Sequence, residues 1–210
     1  MLKATLNNIK IAAGVVKKGG IIVYPTDTVY GLGCDPFNVD AVKRIIRVKD
    51  KRDRALPILA NSLNDVNRVA HLSTEARKIS DSFWPGPLTL VLPKKKLLSD
   101  VVTSGLRSVG VRIPRHKVAL ELIKLSGGLL IGTSANKTGS PPPFTAGEAS
   151  EQLKDEVEVI LDGGETELRL SSTVIDMTGE KLRILRQGSV GLEDVLKILG
   201  GLDEDKSRGE

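Results

Sequence analysis

Pro25-Thr26-Asp27-Thr28-Val29-Tyr30-Gly31-Leu32-Gly33 follows the apolar, β-branched run Ile21-Ile22-Val23-Tyr24. That run has the composition of a buried strand, and Pro25, which cannot donate to a sheet ladder, closes it. Two threonine hydroxyls and a carboxylate therefore stand at the C-terminal end of a strand, and Gly31 and Gly33 admit a ligand close to the backbone. Read alone, the stretch is either a polar turn capped by its threonines or a binding site.

A second buried-strand run, Leu129-Leu130-Ile131, enters Gly132-Thr133-Ser134-Ala135-Asn136 in the same way. Hydroxyl and amide side chains again end a strand, and they offer hydrogen bonds to polar ligand atoms without adding charge. Around these two stretches strands and helices alternate. Asn7 or Asn8 is set to cap a helix over 9–18, with Ile9, Ala12, Ala13 and Val16 on one face and Gly19-Gly20 as its stop. Residues 40–48 read as a helix with Val42, Ile45 and Ile46 inward and Lys43, Arg44 and Arg47 outward. Helical spacing also predicts 62–69, 74–83, 117–125 and 192–199, and Thr145-Ala146-Gly147-Glu148 is a capping box that opens a further helix.

Strands are expected at 58–60, 88–92, 109–113, 157–161, 172–176 and 182–186, the last two joined through Thr178-Gly179-Glu180 as a hairpin. Thr103-Ser104-Gly105-Leu106 and Lys94-Lys95-Lys96 read as loops, Pro141-Pro142-Pro143 as a stiff connector, and Trp84-Pro85-Gly86-Pro87 as a forced break with Trp84 as a core anchor. The alternation argues an α/β class: a single domain over 1–200 with a twisted mixed sheet, parallel and antiparallel, and flanking helices. The polar tail, 201–210, is expected to be disordered.

The 210 residues, 40% of them hydrophobic, suffice for one good core. No apolar run of about eighteen residues and no signal-peptide pattern is present, so a soluble, cytoplasmic protein without membrane partners is expected. The single cysteine, Cys34, reads as a small buried residue. Net charge is +5, and the window from Lys43 to Arg54 holds seven basic residues against Asp50 and Asp53, which alone makes +5. Such a one-signed run points to phosphate binding.

Several standard sites are absent: no phosphate-binding Gly-x-x-x-x-Gly-Lys loop, no nucleophile elbow, no Cys-x-x-Cys and no His-Glu-x-x-His. His71 and His116 lack ligand spacing and read as surface residues. What remains is a set of hydroxyls (Thr28, Ser134, Ser172), an amide (Asn136) and cations (Lys49, Lys51, Arg52, Arg112, Arg186). That inventory suits positioning and neutralising an anionic ligand rather than covalent catalysis, which is what transfer at phosphorus asks of a protein.

Six stretches in order carry a resemblance. Pro25–Gly33, Trp84-Pro85-Gly86-Pro87-Leu88-Thr89, Val111-Arg112-Ile113-Pro114, Ser134-Ala135-Asn136, Ser172-Thr173-Val174 and Leu185-Arg186-Gln187-Gly188 resemble the ordered motifs of the YrdC-domain family, the L-threonylcarbamoyladenylate synthases. The resemblance covers about 8–199 and implies a twisted α/β fold with a deep basic face. It implies an enzyme that condenses L-threonine, bicarbonate and ATP, with Mg²⁺, into threonylcarbamoyl-AMP and pyrophosphate, feeding N6-threonylcarbamoyladenosine formation in transfer RNA together with other proteins of that pathway. By motif, Thr28, Arg112 and Ser172 are expected at threonine, and Lys51, Ser108, Ser134, Asn136 and Arg186 at ATP. Lys49, Lys51 and Arg52 are expected at the reacting phosphates, and no protein-held metal is implied.

Two departures accompany the resemblance. The Lys-x-Arg of the family stands here as Lys49-Asp50-Lys51 followed by Arg52, which resembles the YciO-type branch, and lysine lacks the planar fork of arginine. The second domain of longer members has no counterpart in these residues. The competing expectation is a non-catalytic module of the same fold that grips double-stranded RNA or transfer RNA by its phosphates.

Overall fold

The computed structural model describes residues 1–49, 55–179 and 181–200. The expected tail and the residues Lys51 and Arg52 lie outside the described residues. In chain order the elements begin with β1 (Leu2–Lys3) and α1 (Leu6–Lys17). Thr5 is the N-cap of α1, its hydroxyl accepting from the Asn8 amide N–H at 3.4 Å. Asn7 and Asn8 therefore sit inside the helix rather than capping it, and the Asn8 side chain donates back to Lys3 O at 2.8 Å. The four apolar residues of α1 are buried as their spacing predicts.

There follow β2 (Ile22–Tyr24), β3 (Gly31–Gly33), α2 (Val39–Val48), β4 (Ile58–Ala60), α3 (Leu63–Val69), α4 (Thr74–Phe83) and β5 (Leu88–Pro93). Side-chain oxygens of Asn38, Ser62 and Ser73 cap α2, α3 and α4. Next come α5 (Asp100–Thr103), β6 (Ser108–Arg112), α6 (Lys117–Leu125), β7 (Leu129–Ile131), β8 (Thr133–Ser134) and α7 (Ala146–Leu153). The capping box of Thr145 and Glu148 is formed in both directions. The chain finishes with β9 (Val159–Asp162), β10 (Thr173–Asp176), β11 (Arg183–Arg186) and α8 (Leu192–Ile198).

The mixed α/β class is present, but the strands divide into two sheets rather than one. The first has the order β1-β9-β2-β3-β8, with β9 parallel to both β1 and β2 and the remaining pairs antiparallel. The second has the order β11-β10-β5-β6-β4-β7, with parallel β10–β5 and β4–β6 pairs and the expected antiparallel β10–β11 hairpin. Gly31–Gly33 is a strand, not a loop, because glycine is what the packing there admits. A Cβ on Gly33 would stand 2.4 Å from Ile131 O, and one on Gly31 would stand 2.9 Å from the Tyr24 ring. The close approach those glycines permit is by the protein's own backbone and by Tyr24, whose hydroxyl donates to Ile131 O at 2.9 Å.

α1 and α6 cover one core, where Ala12, Val16, Ala119, Leu122 and Ile123 pack on Ile22, Tyr24 and Leu130. The larger core gathers the other faces of both sheets and includes Trp84, whose indole N–H donates to Leu88 O at 2.6 Å. Cys34 is fully buried, and burial pushes its thiol up, so it stays protonated and inert. Lys94 is not a plain exposed loop residue: its ammonium pairs with Asp100 and donates to Leu98 O at 3.3 Å, tying the chain ahead of α5 to the start of that helix. No helix among the described residues is long and apolar enough to cross a membrane.

Candidate active site

Alternate residues of β5, β6, β10 and β11 face one way, and that face is the floor of a cleft of about 580 Å³. Thr89, Ser108, Arg112, Asp176 and Leu185 lie on it, and Gly110 keeps its centre low. The opposite wall comes from the first sheet, through Thr26 and Thr28 in the β2–β3 turn, Gly31 on β3, and Thr133 and Ser134 on β8. β3 pairs Gly31 with Ser134, so the two polar stretches singled out in the sequence are neighbours across one ladder.

Arg112, at the end of β6, is 5% exposed and held on three sides. Its Nε donates to Gly86 O at 2.9 Å, Nη1 to Thr28 Oγ1 at 2.9 Å, and Nη2 to the carboxylate of Asp27. Asp27 is fully buried, and its second carboxylate oxygen has no hydrogen-bond partner among the described residues. Burial pulls the Arg112 pKa down and Asp27 pulls it back up; a guanidinium so paired keeps its charge. One N–H on each terminal nitrogen is left over from these three bonds, enough to meet both oxygens of a carboxylate.

Across the floor, Arg186 of β11 donates from Nε to Ser172 O and from Nη2 to Ser172 Oγ, both at 3.0 Å. Ser172 Oγ lies 2.9 Å from Thr89 Oγ1. Burial pulls the Arg186 pKa down as well. Thr28, Ser108, Arg112, Ser134, Ser172 and Arg186 all line the cleft.

Lys49 and Asn136 do not line it. Lys49 is buried at the end of α2, and its ammonium donates to Ser134 O at 2.8 Å, to Asn136 Oδ1 at 2.8 Å and to Asn136 O. Asn136 accepts again at Oδ1 from the Ser134 hydroxyl at 2.6 Å, and its Nδ2 donates to Lys137 O at 3.0 Å and Ser140 O at 2.6 Å. Both donors and both lone pairs of that amide are thus engaged within the protein. Lys49 and Asn136 hold the Ser134 segment in place from behind the wall.

Sequence reasoning did not single out Asp176 and Arg183. Both line the cleft, and Arg183 Nη2 donates to Asp176 at 2.6 Å while Thr178 donates to the other Asp176 oxygen from its amide and hydroxyl. Burial acts to raise the Asp176 pKa, but these bonds outweigh it and hold the carboxyl below its ordinary range. The signal available was alternation: Val174 and Asp176 share the face of β10 that Ser172 leads into. His116 is half-buried, not a surface residue, because its Nδ1 accepts from the Ala119 amide and caps α6; burial lowers its pKa, against Asp27 and Glu167.

The Sua5/YciO/YrdC family model, described as telomere recombination, matches residues 14–188. The chain belongs to that family. Among Sua5/YciO/YrdC proteins it is similar to a threonylcarbamoyl-AMP synthase of Pyrococcus abyssi, 42% identical over 194 residues that make up 91% of this chain and 57% of the relative. In structure it is similar to P. abyssi Sua5 crystallised with L-threonine, with a TM-score of 0.89 and 42% identity over 92% of this chain and 58% of that one. E. coli YciO is similar at a TM-score of 0.84 and 27% identity, over 91% of this chain and 94% of that one. The chain spans 57% of the P. abyssi relative.

Proposed function

We propose that this chain is an L-threonylcarbamoyladenylate synthase, an ATP-using nucleotidyltransferase that makes threonylcarbamoyl-AMP for tRNA modification in the cytoplasm. The observation that carries the reading is Arg112: a buried guanidinium, fixed by Asp27, Thr28 and Gly86, lines a cleft that Ser172 and Arg186 also line. A preset pair of donors is what an amino-acid carboxylate needs. The likeness to the threonine-bound P. abyssi Sua5 supports the choice of amino acid.

In this reading Thr28, Arg112 and Ser172 hold threonine, and Ser108, Ser134 and Arg186 hold the nucleotide, with Lys49 and Asn136 supporting Ser134. Lys51 and Arg52 are assigned to the phosphates. The threonine amine adds to the carbon of bicarbonate with loss of water, giving a carbamate. One carbamate oxygen then attacks the α-phosphorus, the α–β bridging bond breaks, and pyrophosphate leaves. The chain's part is to align the two anions, offset their charge and exclude water from the labile carbamate. Asp176 is the one acidic residue among the described residues of the cleft, and Arg183 engages it, so Mg²⁺ is assigned to the ATP phosphates as part of the substrate.

The test is pyrophosphate release by the purified chain from ATP and Mg²⁺, with and without threonine and bicarbonate, beside Ser172→Ala. Release that needs both co-substrates and drops at least tenfold in the variant is expected. The competing RNA-binding reading draws on Lys43 and Arg47, exposed on the outer face of α2. It predicts no release, and binding to double-stranded RNA that ignores threonine and weakens steeply with salt.

A further inference from the structure

A carboxylate has about four lone pairs to receive hydrogen bonds with, two on each oxygen. On Asp176, Oδ1 takes the amide and the hydroxyl of Thr178 at 2.9 and 2.7 Å, and Oδ2 takes Arg183 Nη2 at 2.6 Å. One acceptor position on Oδ2 is left over, on a residue that is 7% exposed and lines the cleft. Strand register fixes where along the cleft it stands. Asp176 pairs with Val91 and Val91 with Gly110, and on β6 Ser108 comes two residues before Gly110 and Arg112 two residues after it. The row that holds Asp176 thus lies midway between the arginine assigned to the amino acid and a serine assigned to ATP, about 7 Å along the strands from either.

In an aminoacyl-carbamoyl adenylate the group that follows the α-phosphate is the ribose, so a row one pleat beyond Arg112 is where the sugar falls. The surroundings of Asp176 agree with a sugar. Val91 and Val174 flank it, and Leu185, which is 58% exposed, lines the cleft nearby. Ile175 pairs with Ile184 but Val174 with Arg186, so Leu185 is the extra residue of a β-bulge, which brings it and Arg186 to the same side. The Asp176–Arg183 pair is neutral as a whole, and a neutral polar pair among apolar side chains suits a nucleoside better than a polyphosphate, which asks for cations not already paired. We infer that Asp176 is a specificity-determining residue whose remaining Oδ2 lone pair accepts a ribose hydroxyl of the nucleotide, with Thr178 and Arg183 as positioning residues that fix the carboxylate. The inference rests on the synthase reading and extends it to the sugar.

The experiment is calorimetric binding of ATP, 2′-deoxy-ATP, 3′-deoxy-ATP and inorganic pyrophosphate to the parent, Asp176→Ala and Arg183→Gln, with pyrophosphate release by the parent as the parallel readout. Losing the hydroxyl that Asp176 reads is expected to weaken nucleotide binding to the parent about tenfold, and to cost nothing further in Asp176→Ala, because both changes delete one bond. Arg183→Gln, at a side chain that is 70% exposed, should shrink that preference to a few-fold and leave pyrophosphate binding unchanged. A purely structural role would not move the ratio of ATP to its deoxy forms. If the parent binds both deoxy nucleotides as tightly as ATP, the inference is overturned whether or not either variant folds, and it is overturned equally if the deoxy penalty persists in full in Asp176→Ala. Loss of pyrophosphate binding in Arg183→Gln with the deoxy penalty intact would move the pair to the phosphates and overturn it too. If the parent releases no pyrophosphate in response to threonine and bicarbonate, the synthase reading falls and takes the inference with it.

Discussion

A substitution at Arg112 has two separable effects, because its guanidinium faces both a buried carboxylate and the cleft. Arg112→Ala strands Asp27 as an uncompensated charge in the interior and is expected to cost on the order of 3–5 kcal/mol of stability, read as a lower denaturation midpoint. Arg112→Lys keeps the charge but not the planar fork, so threonine affinity should fall at least tenfold while ATP affinity changes little. Equal loss of both affinities would remove Arg112 from the amino-acid role. The types of residue in the site were legible from sequence, and Thr28, Ser108, Arg112, Ser134, Ser172 and Arg186 do converge on one cleft. Direction was not legible. Asn136 and Lys49 end the right elements, but only the folded chain turns the amide and the ammonium onto each other instead of outward. Likewise Asp27 carries a carboxylate in plain view, and its partner lies 85 residues away.

Among the elements, β3 is the one whose residue types are set by its neighbours. Gly33→Ala would drive a methyl group into Ile131 O and the Tyr24 ring, and about 1–3 kcal/mol of destabilisation is expected in urea unfolding. Where β9 begins, burial acts to raise the Glu158 pKa, but the Ile21 amide at 2.8 Å and Arg44 at 2.7 Å outweigh it and hold the carboxyl below its usual value. A depressed folded-state pKa contributes stability above the unfolded value, about 4.3, and loses it as pH falls through the folded one. Glu158→Gln should therefore be less stable than the parent at neutral pH, by under about 1 kcal/mol for so exposed a pair, with the gap closing as the pH falls below the ordinary glutamate range. A gap unchanged in acid would contradict this.

The longer helices were readable because eight or more residues display a period: α2, α4 and α6 begin and end within a residue of expectation. The strands β1 and β8, with two residues each, and the four-residue helix α5 are too short for one. They exist because distant partners pair with them or pack on them.

At the scale of the whole molecule, the division into two sheets was the least legible feature, since sheet membership depends on pairing and not on composition. It is also what makes the site: one sheet supplies the floor with Arg112, Ser172 nearby and Arg186, the other the wall with Thr28 and Ser134, and the cleft is the space between. Concave, mostly preformed clefts of this size are where small ligands bind. What the cleft joins together is read by mass spectrometry of the product formed from ATP, Mg²⁺, L-threonine and ¹³C-bicarbonate. A threonylcarbamoyl adenylate carrying the ¹³C label is expected, reduced at limiting threonine in Arg112→Lys; AMP and pyrophosphate with no labelled adduct under conditions that preserve it would contradict the synthase reading.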